Sequence, residues 1–123
     1  MVSAASDVTV DLNHNSRLRS LTIHFRRAPR NPQYLSRMLS GAVSNEMEEI
    51  VIGLYPPYDD SELDGVGWEH VDAILERPQF SKLRSIRICT DPNLFGRFID
   101  YFPRSYSRGI LFIESHILHF TVL

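Results

Sequence analysis

The chain has 123 residues, a formal net charge of -2 and an apolar fraction of 43%, which is one domain's worth of sequence with an ordinary capacity to bury a core. This balance excludes the apolar-poor composition of disordered chains and the strongly basic composition of nucleic-acid binders. A single cysteine, Cys89, excludes an intrachain disulfide and points to a reducing compartment.

The N-terminal stretch carries neither a basic n-region nor an apolar h-region, so no secretory signal is expected. No run approaches the roughly 20 apolar residues that a membrane helix needs. The expectation is a cytoplasmic or nuclear chain without membrane or nucleic-acid partners. Charge falls in blocks: residues 17–37 hold six arginines and no acid, residues 46–76 hold ten acids and no Lys or Arg, and basic residues lead again from Arg77 to Arg108. Such blocks become bands on a folded surface, where they either steady one another or steer a partner.

In chain order, Val8-Thr9-Val10-Asp11-Leu12 alternates and predicts a short edge strand. Leu18, Leu21, Ile23 and Phe25 sit at offsets 0, 3, 5 and 7, and their later members alternate as a strand does. Ala28 to Pro32 reads as a turn, with Asn31 a good N-cap and Pro32 suited to the first helical position. Leu35, Met38, Leu39 and Ala42 then mark one helical face, predicting a helix over 32–43. Met47, Ile50, Ile52 and Leu54 repeat the offsets 0, 3, 5 and 7. The acidic, proline-bearing stretch from Tyr55 to Gly67 reads as a long loop.

Trp68, Val71, Ile74 and Leu75 form the next apolar stripe, with Glu69, His70, Asp72, Ala73 and Glu76 on the polar face. Pro78 ends that helix. Leu83, Ile86 and Ile88 give offsets 0, 3 and 5 a third time. Asp91-Pro92 repeats the cap-and-proline device, Phe95, Phe98, Ile99 and Phe102 mark a fourth helical stripe, and Pro103 closes it. Ser107 to Phe112 predicts a fourth strand and Ile117 to Leu123 one more. The predicted register points are Leu18, Met47, Leu83 and Ser107, in steps of 29, 36 and 24 residues.

Strand–helix–strand steps cross over right-handed and build a parallel sheet. Strands of a doubly wound sheet are apolar on both faces. Here the outward positions Ser20, Thr22, His24, Glu49, Gly53, Ser85 and Arg87 are mostly polar. One wet face predicts a short α/β solenoid with helices on the other, a single domain spanning residues 1–123. Leu111 and Ile113 fall on the wet face in this register, so something is expected to cover them. Val8–Leu12 and Ile117–Leu123 are the expected end caps.

The pattern L-x-x-L-x-L followed by a turn and a helix resembles a leucine-rich repeat with unequal steps. More specifically, Trp68, Val71-Asp72-Ala73-Ile74-Leu75, Pro78, Phe80, Leu83-Arg84 and Ile86, with the closing Arg108-Gly109-Ile110-Leu111, resemble the leucine-rich-repeat region of F-box proteins from mushroom-forming fungi. The resemblance covers roughly residues 12–114. In such families the F-box binds the Skp1 adaptor of a cullin ubiquitin ligase and the repeats recognise a substrate. The motif of roughly 40 residues that forms an F-box has no room before Leu18. The resemblance therefore implies a fragment of a longer F-box protein or a stand-alone repeat module, with Skp1 a partner only if an F-box lies upstream.

Chemistry is sparse. Register places His24, Gly53 and Cys89 in one outward row, which is the attractive setting for a Cys–His pair. Two strand steps, however, separate His24 and Cys89 by about 9–10 Å, whereas a nucleophile and its base need about 3 Å. Asp60-x-Glu62-x-Asp64-Gly65 imitates the start of a calcium loop, but Val71 stands where the bidentate glutamate belongs. His116 and His119 point to opposite faces of a strand, and His14 and His70 read as solvent residues. No catalytic residue, metal or cofactor is therefore assigned. The expected function is a protein–protein interaction module that binds a partner on its polar sheet face through Thr22, His24, Glu49, Val51, Tyr55, Arg87 and Cys89. The alternatives are a small α/β enzyme using Cys89 and an inactive fragment.

Overall fold

A computed structural model describes residues 2–5, 17–25, 34–54 and 67–115. It is an α/β fold built on a five-stranded parallel sheet whose spatial order follows the chain. The strands are β1 (Val2–Ala5), β2 (Ser20–Phe25), β3 (Glu49–Leu54), β4 (Ser85–Thr90) and β5 (Leu111–Ser115). Helix α1 (Tyr34–Ser40) connects β2 to β3, and α2 (Trp68–Ile74) with a 3-10 turn at Pro78–Phe80 connects β3 to β4. A 3-10 turn at Pro92–Leu94, α3 (Phe95–Tyr101) and α4 (Pro103–Ser107) connect β4 to β5. Because the strand order never reverses, successive right-handed crossovers pass over the same face.

That face is the core. Leu21, Ile23 and Phe25 of β2, Ile50, Ile52 and Leu54 of β3, and Ile86 and Ile88 of β4 form one buried cluster with Leu35, Met38, Leu39, Trp68, Val71, Ile74, Leu75, Phe98 and Phe102. The side chains at offset 0, Leu18, Met47 and Leu83, are buried as well, although strict alternation would send offsets 0 and 3 to opposite faces. The backbone resolves this. The carbonyl of Arg19 accepts from the N–H groups of both Glu48 and Glu49, at 2.7 and 3.1 Å. One strand on, the carbonyl of Glu48 accepts from Arg84 and Ser85 at 2.8 and 3.2 Å. Two successive donors on one acceptor stall the ladder for a residue, as a bulge does. The stall occurs at the same place between β2 and β3 and between β3 and β4, and Leu18, Met47 and Leu83 turn back onto the core.

Polar side chains tie one unit to the next. Gln79 Nε2 donates to the carbonyls of Leu39 and Ala42 at 3.4 and 3.0 Å, and Arg108 Nη1 donates to the carbonyl of Leu75 at 3.1 Å. Both satisfy carbonyls that a helix end leaves without an intrahelical donor. The buried Ser44 Oγ donates to the carbonyl of Leu18 at 2.6 Å and accepts from the N–H of Glu46 at 3.2 Å. Trp68 closes the third unit: its ring meets Phe98 edge-on at 5.4 Å and Phe102 at 5.7 Å and stacks on Tyr101 at 6.2 Å.

Several sequence expectations change. Asp72, placed on the polar helix face, is buried; its Oδ1 accepts from the Ser105 N–H at 3.1 Å and the Ser105 hydroxyl at 2.6 Å, and its Oδ2 from the Arg104 N–H at 3.0 Å. It caps the first turn of α4, a helix that begins at Pro103 where the sequence predicted only an end. Ser107 lies in that helix and not in a strand. The fourth strand is consequently shifted by one residue: Leu111 pairs with Ile86 and Ile113 with Ile88, so both pack against the core and Phe112 faces outward. A one-residue slip exchanges the two faces of a strand, and Gly109-Ile110-Leu111-Phe112-Ile113 is apolar in both phases, so its pattern could not select one. The strand beside β2 is Val2–Ala5. The expected segments Val8–Leu12, Ala28–Pro32, the 55–66 loop with its calcium-loop imitation, and Ile117–Leu123, together with His14, His116 and His119, lie outside the described residues.

The candidate binding face

The sheet surface opposite the helices carries the sequence-predicted site residues in three rows set by strand register. Glu49 pairs with Ser20 and Ser85. Thr22, Val51, Arg87 and Phe112 form the second row, and His24, Gly53, Cys89 and Glu114 the third. Thr22, His24, Glu49, Val51, Arg87 and Cys89 thus share one face. Tyr55 lies outside the described residues.

The face is not uniformly wet. Thr22, His24, Glu49 and Arg87 are half-buried, but Val51 and Cys89 are 8% and 3% exposed. These two form the floor of the face and offer a partner almost no area. His24 lies over Gly53: a Cβ at Gly53 would stand 2.7 Å from His24 Nδ1, so a side chain there would displace the imidazole.

Arg87 organises the centre. Its Nε donates to Glu49 Oε2 at 3.3 Å, its Nη1 donates to Glu114 Oε1, and its guanidinium lies 5.6 Å from the Phe112 ring centroid. Ser85 Oγ donates to the same Glu49 oxygen at 3.2 Å. One cation therefore links carboxylates on the strands to either side of it, and covers an aromatic ring in the orientation of a cation–π contact. The hydrogen bond that Arg87 donates to Glu114 is the main reason the Arg87 pKa rises, against a lowering by burial, with further support from the charges of Glu114 and Glu49. Arg87 is a permanent charge on this face. Each ion pair is more than one-third exposed at both side chains, so the pairs orient groups more than they hold the fold together.

Beside this network the face is concave. A groove of about 460 Å³ crosses the beginnings of β2 to β5, bounded by Arg19, Glu48, Glu49, Arg84, Arg87 and Phe112. A smaller hollow of about 360 Å³ on the helix side lies between Leu75, Arg77, Phe80 and Arg108, but there Arg108 already serves the carbonyl of Leu75. Among the described residues no helix is long and apolar enough to cross a membrane, and no three His, Cys, Asp or Glu side chains are grouped to hold a metal ion.

The chain matches no family model, curated protein or solved structure.

Burial pushes the Cys89 thiol above its ordinary range and the Glu114 carboxylate pushes it further, with Arg87 opposing. A reactive cysteine needs the reverse, a thiolate favoured by cationic surroundings and reachable by substrate. The residues that sequence reasoning missed are Phe112 and Glu114, hidden by the one-residue slip, and the rim residues Arg19, Glu48 and Arg84, which precede the strands proper. The recurrence of a charged residue one position after each offset-0 apolar residue was the available signal for the rim.

Proposed function

We propose that this chain is a protein-binding module, a short leucine-rich-repeat-like solenoid that holds a partner protein on the sheet face opposite its helices. The observation that carries the reading is the Glu49–Arg87–Glu114 network with Phe112 beside the groove. Four strands in parallel register place charged, aromatic and hydroxyl groups side by side on a rigid surface, with an exposed aromatic and an arginine, the residue types that dominate interface energies. Core packing does not require such groups on that face, since the core lies on the other one. The reversed pKa shift and burial of Cys89 weigh against the alternative of a small enzyme using that thiol. In the ubiquitin-ligase setting that the sequence resemblance implies, this face would receive the substrate, and a Skp1-type adaptor would be a partner only if an F-box lies upstream.

Selection of displayed random peptides against the protein tests the reading. Bound peptides are expected to be lost from Thr22→Arg and Phe112→Ser variants and retained by an Arg97→Glu variant on α3. Retention of all selected peptides by the two sheet-face variants would place binding elsewhere and end the proposal.

A further inference from the structure

Charge in the groove follows a definite order. Arg19, Glu48 and Arg84 stand at one level on successive strands, tied by the hydrogen bonds from the Glu48 N–H to the Arg19 carbonyl and from the Arg84 N–H to the Glu48 carbonyl. This row is where the basic, acidic and basic blocks of the sequence meet the sheet surface. Arg19 and Arg84 are exposed, and neither guanidinium is ion-paired to a carboxylate among the described residues. Arg87, in contrast, is already held by two glutamates. Phe112, 44% exposed, closes the groove on β5. The groove therefore offers two uncommitted cations, a glutamate between them, and an apolar stop at one end.

We infer that the groove takes an acidic segment of a partner protein in the polyproline-II conformation, with one carboxylate on Arg19, a second on Arg84 and an apolar side chain on Phe112. This rests on the proposed reading of the sheet face as the binding surface and adds the chemistry of the partner. Parallel strands lie about 4.8 Å apart, so Arg19 and Arg84 stand about 10 Å apart at the backbone, which a polyproline-II segment covers in about three residues, one full turn, so that both acids stay on one side. Phe112 pairs with Arg87, three residues beyond Arg84 and one strand over, a further separation of about 11 Å, or again about three residues. Glu48 repels a carboxylate placed midway between the arginines and accepts a neutral or basic residue there. The complementary segment is acid-x-x-acid-x-x-apolar, without acid at its second and third positions. Exposed cations of this kind govern encounter rate and partner choice, so binding weakens with salt.

The test uses the full chain and a fluorescein-labelled peptide with two glutamates three positions apart, alanines between them and a leucine three positions after the second. Fluorescence anisotropy is expected to show saturable binding that weakens as salt rises from about 50 to about 500 mM. R19E/R84E is expected to reduce affinity by at least about tenfold, R19Q/R84Q by a smaller factor, and F112A to reduce it as well. Circular dichroism of each variant is expected to match the parent, since these side chains are exposed. Absence of binding at millimolar peptide overturns the inference, as does a lysine version binding equally well or a single-stranded oligonucleotide binding more tightly. The two levels separate cleanly. Display-selected peptides that ignore R19E/R84E and carry no excess of acid, yet are lost from T22R and F112S, refute the acidic partner and leave the sheet-face reading standing. Peptides indifferent to every sheet-face variant refute both.

Discussion

Asp72 is the residue whose removal the structure makes most costly. Its carboxylate is 2% exposed and accepts from the N–H groups of Arg104 and Ser105 and from the Ser105 hydroxyl. Asp72→Ala leaves the buried Ser105 N–H without an acceptor, at about 1–3 kcal/mol. The Arg104 N–H is only partly buried and regains water, but the cap on α4 is lost, at about 1 kcal/mol. The total is about 3 kcal/mol. Asp72→Asn keeps one acceptor oxygen and is expected to cost about half as much. Urea unfolding followed by the fluorescence of Trp68, the only tryptophan, reads the change directly. With a slope of about 1.5 kcal/mol/M for a small domain, the alanine variant should unfold at about 2 M lower urea. Ser105→Ala should add much less in the Asp72→Ala background than in the parent, because the two share one network. A midpoint within about 0.5 M of the parent for Asp72→Ala, or additive effects with Ser105→Ala, would refute the capping role.

Three further outcomes follow from the same geometry. Gly53→Ala should cost about 1 kcal/mol by displacing the His24 imidazole, and most of that should vanish when His24→Ala is already present; additivity of the two would remove the contact as the cause. Ile113→Lys should destabilise by at least about 2 kcal/mol more than Phe112→Lys, because Ile113 packs on the core and Phe112 does not; the opposite order would restore the register read from sequence. For Cys89 the folded-state pKa is raised, chiefly by burial, so its contribution to stability is complete below the unfolded thiol's pKa and is lost as pH climbs through the folded value. Unfolding free energy should therefore fall as pH rises above roughly 8.5, and iodoacetamide should react far more slowly with native than with urea-unfolded protein at neutral pH. Equal alkylation rates would show that the thiol is accessible after all.

Much of the fold was legible in the sequence because its signal is repeated. The offsets 0, 3 and 5 at Leu18, Met47 and Leu83 predicted three strands and their mutual register, and the pairing Ser20–Glu49–Ser85 agrees with it. The stripes Leu35–Ala42 and Trp68–Leu75 predicted the helical core faces. What pattern could not supply was a choice between two apolar phases at residues 109–113, or the fate of Asp72. A helix periodicity assigns a polar residue to solvent, and only the arrival of α4 across the bundle gives this carboxylate its donors. Of the fourth stripe, Phe98 and Phe102 are buried as its spacing predicts, but Ile99 is 36% exposed. On the candidate face, rows and neighbours were readable from register, whereas the burial of Val51 and Cys89 was not, because register fixes which side chains are neighbours but not how they lie across the sheet.

The most direct measurement on the central claim is amide chemical-shift mapping of the full chain with a display-selected peptide. Shifts concentrated at Thr22, Glu49, Arg87 and Phe112, with α1, α2 and the Gln79 turn unmoved, are the predicted result. Shifts concentrated on the helices, with the sheet residues silent, would contradict it.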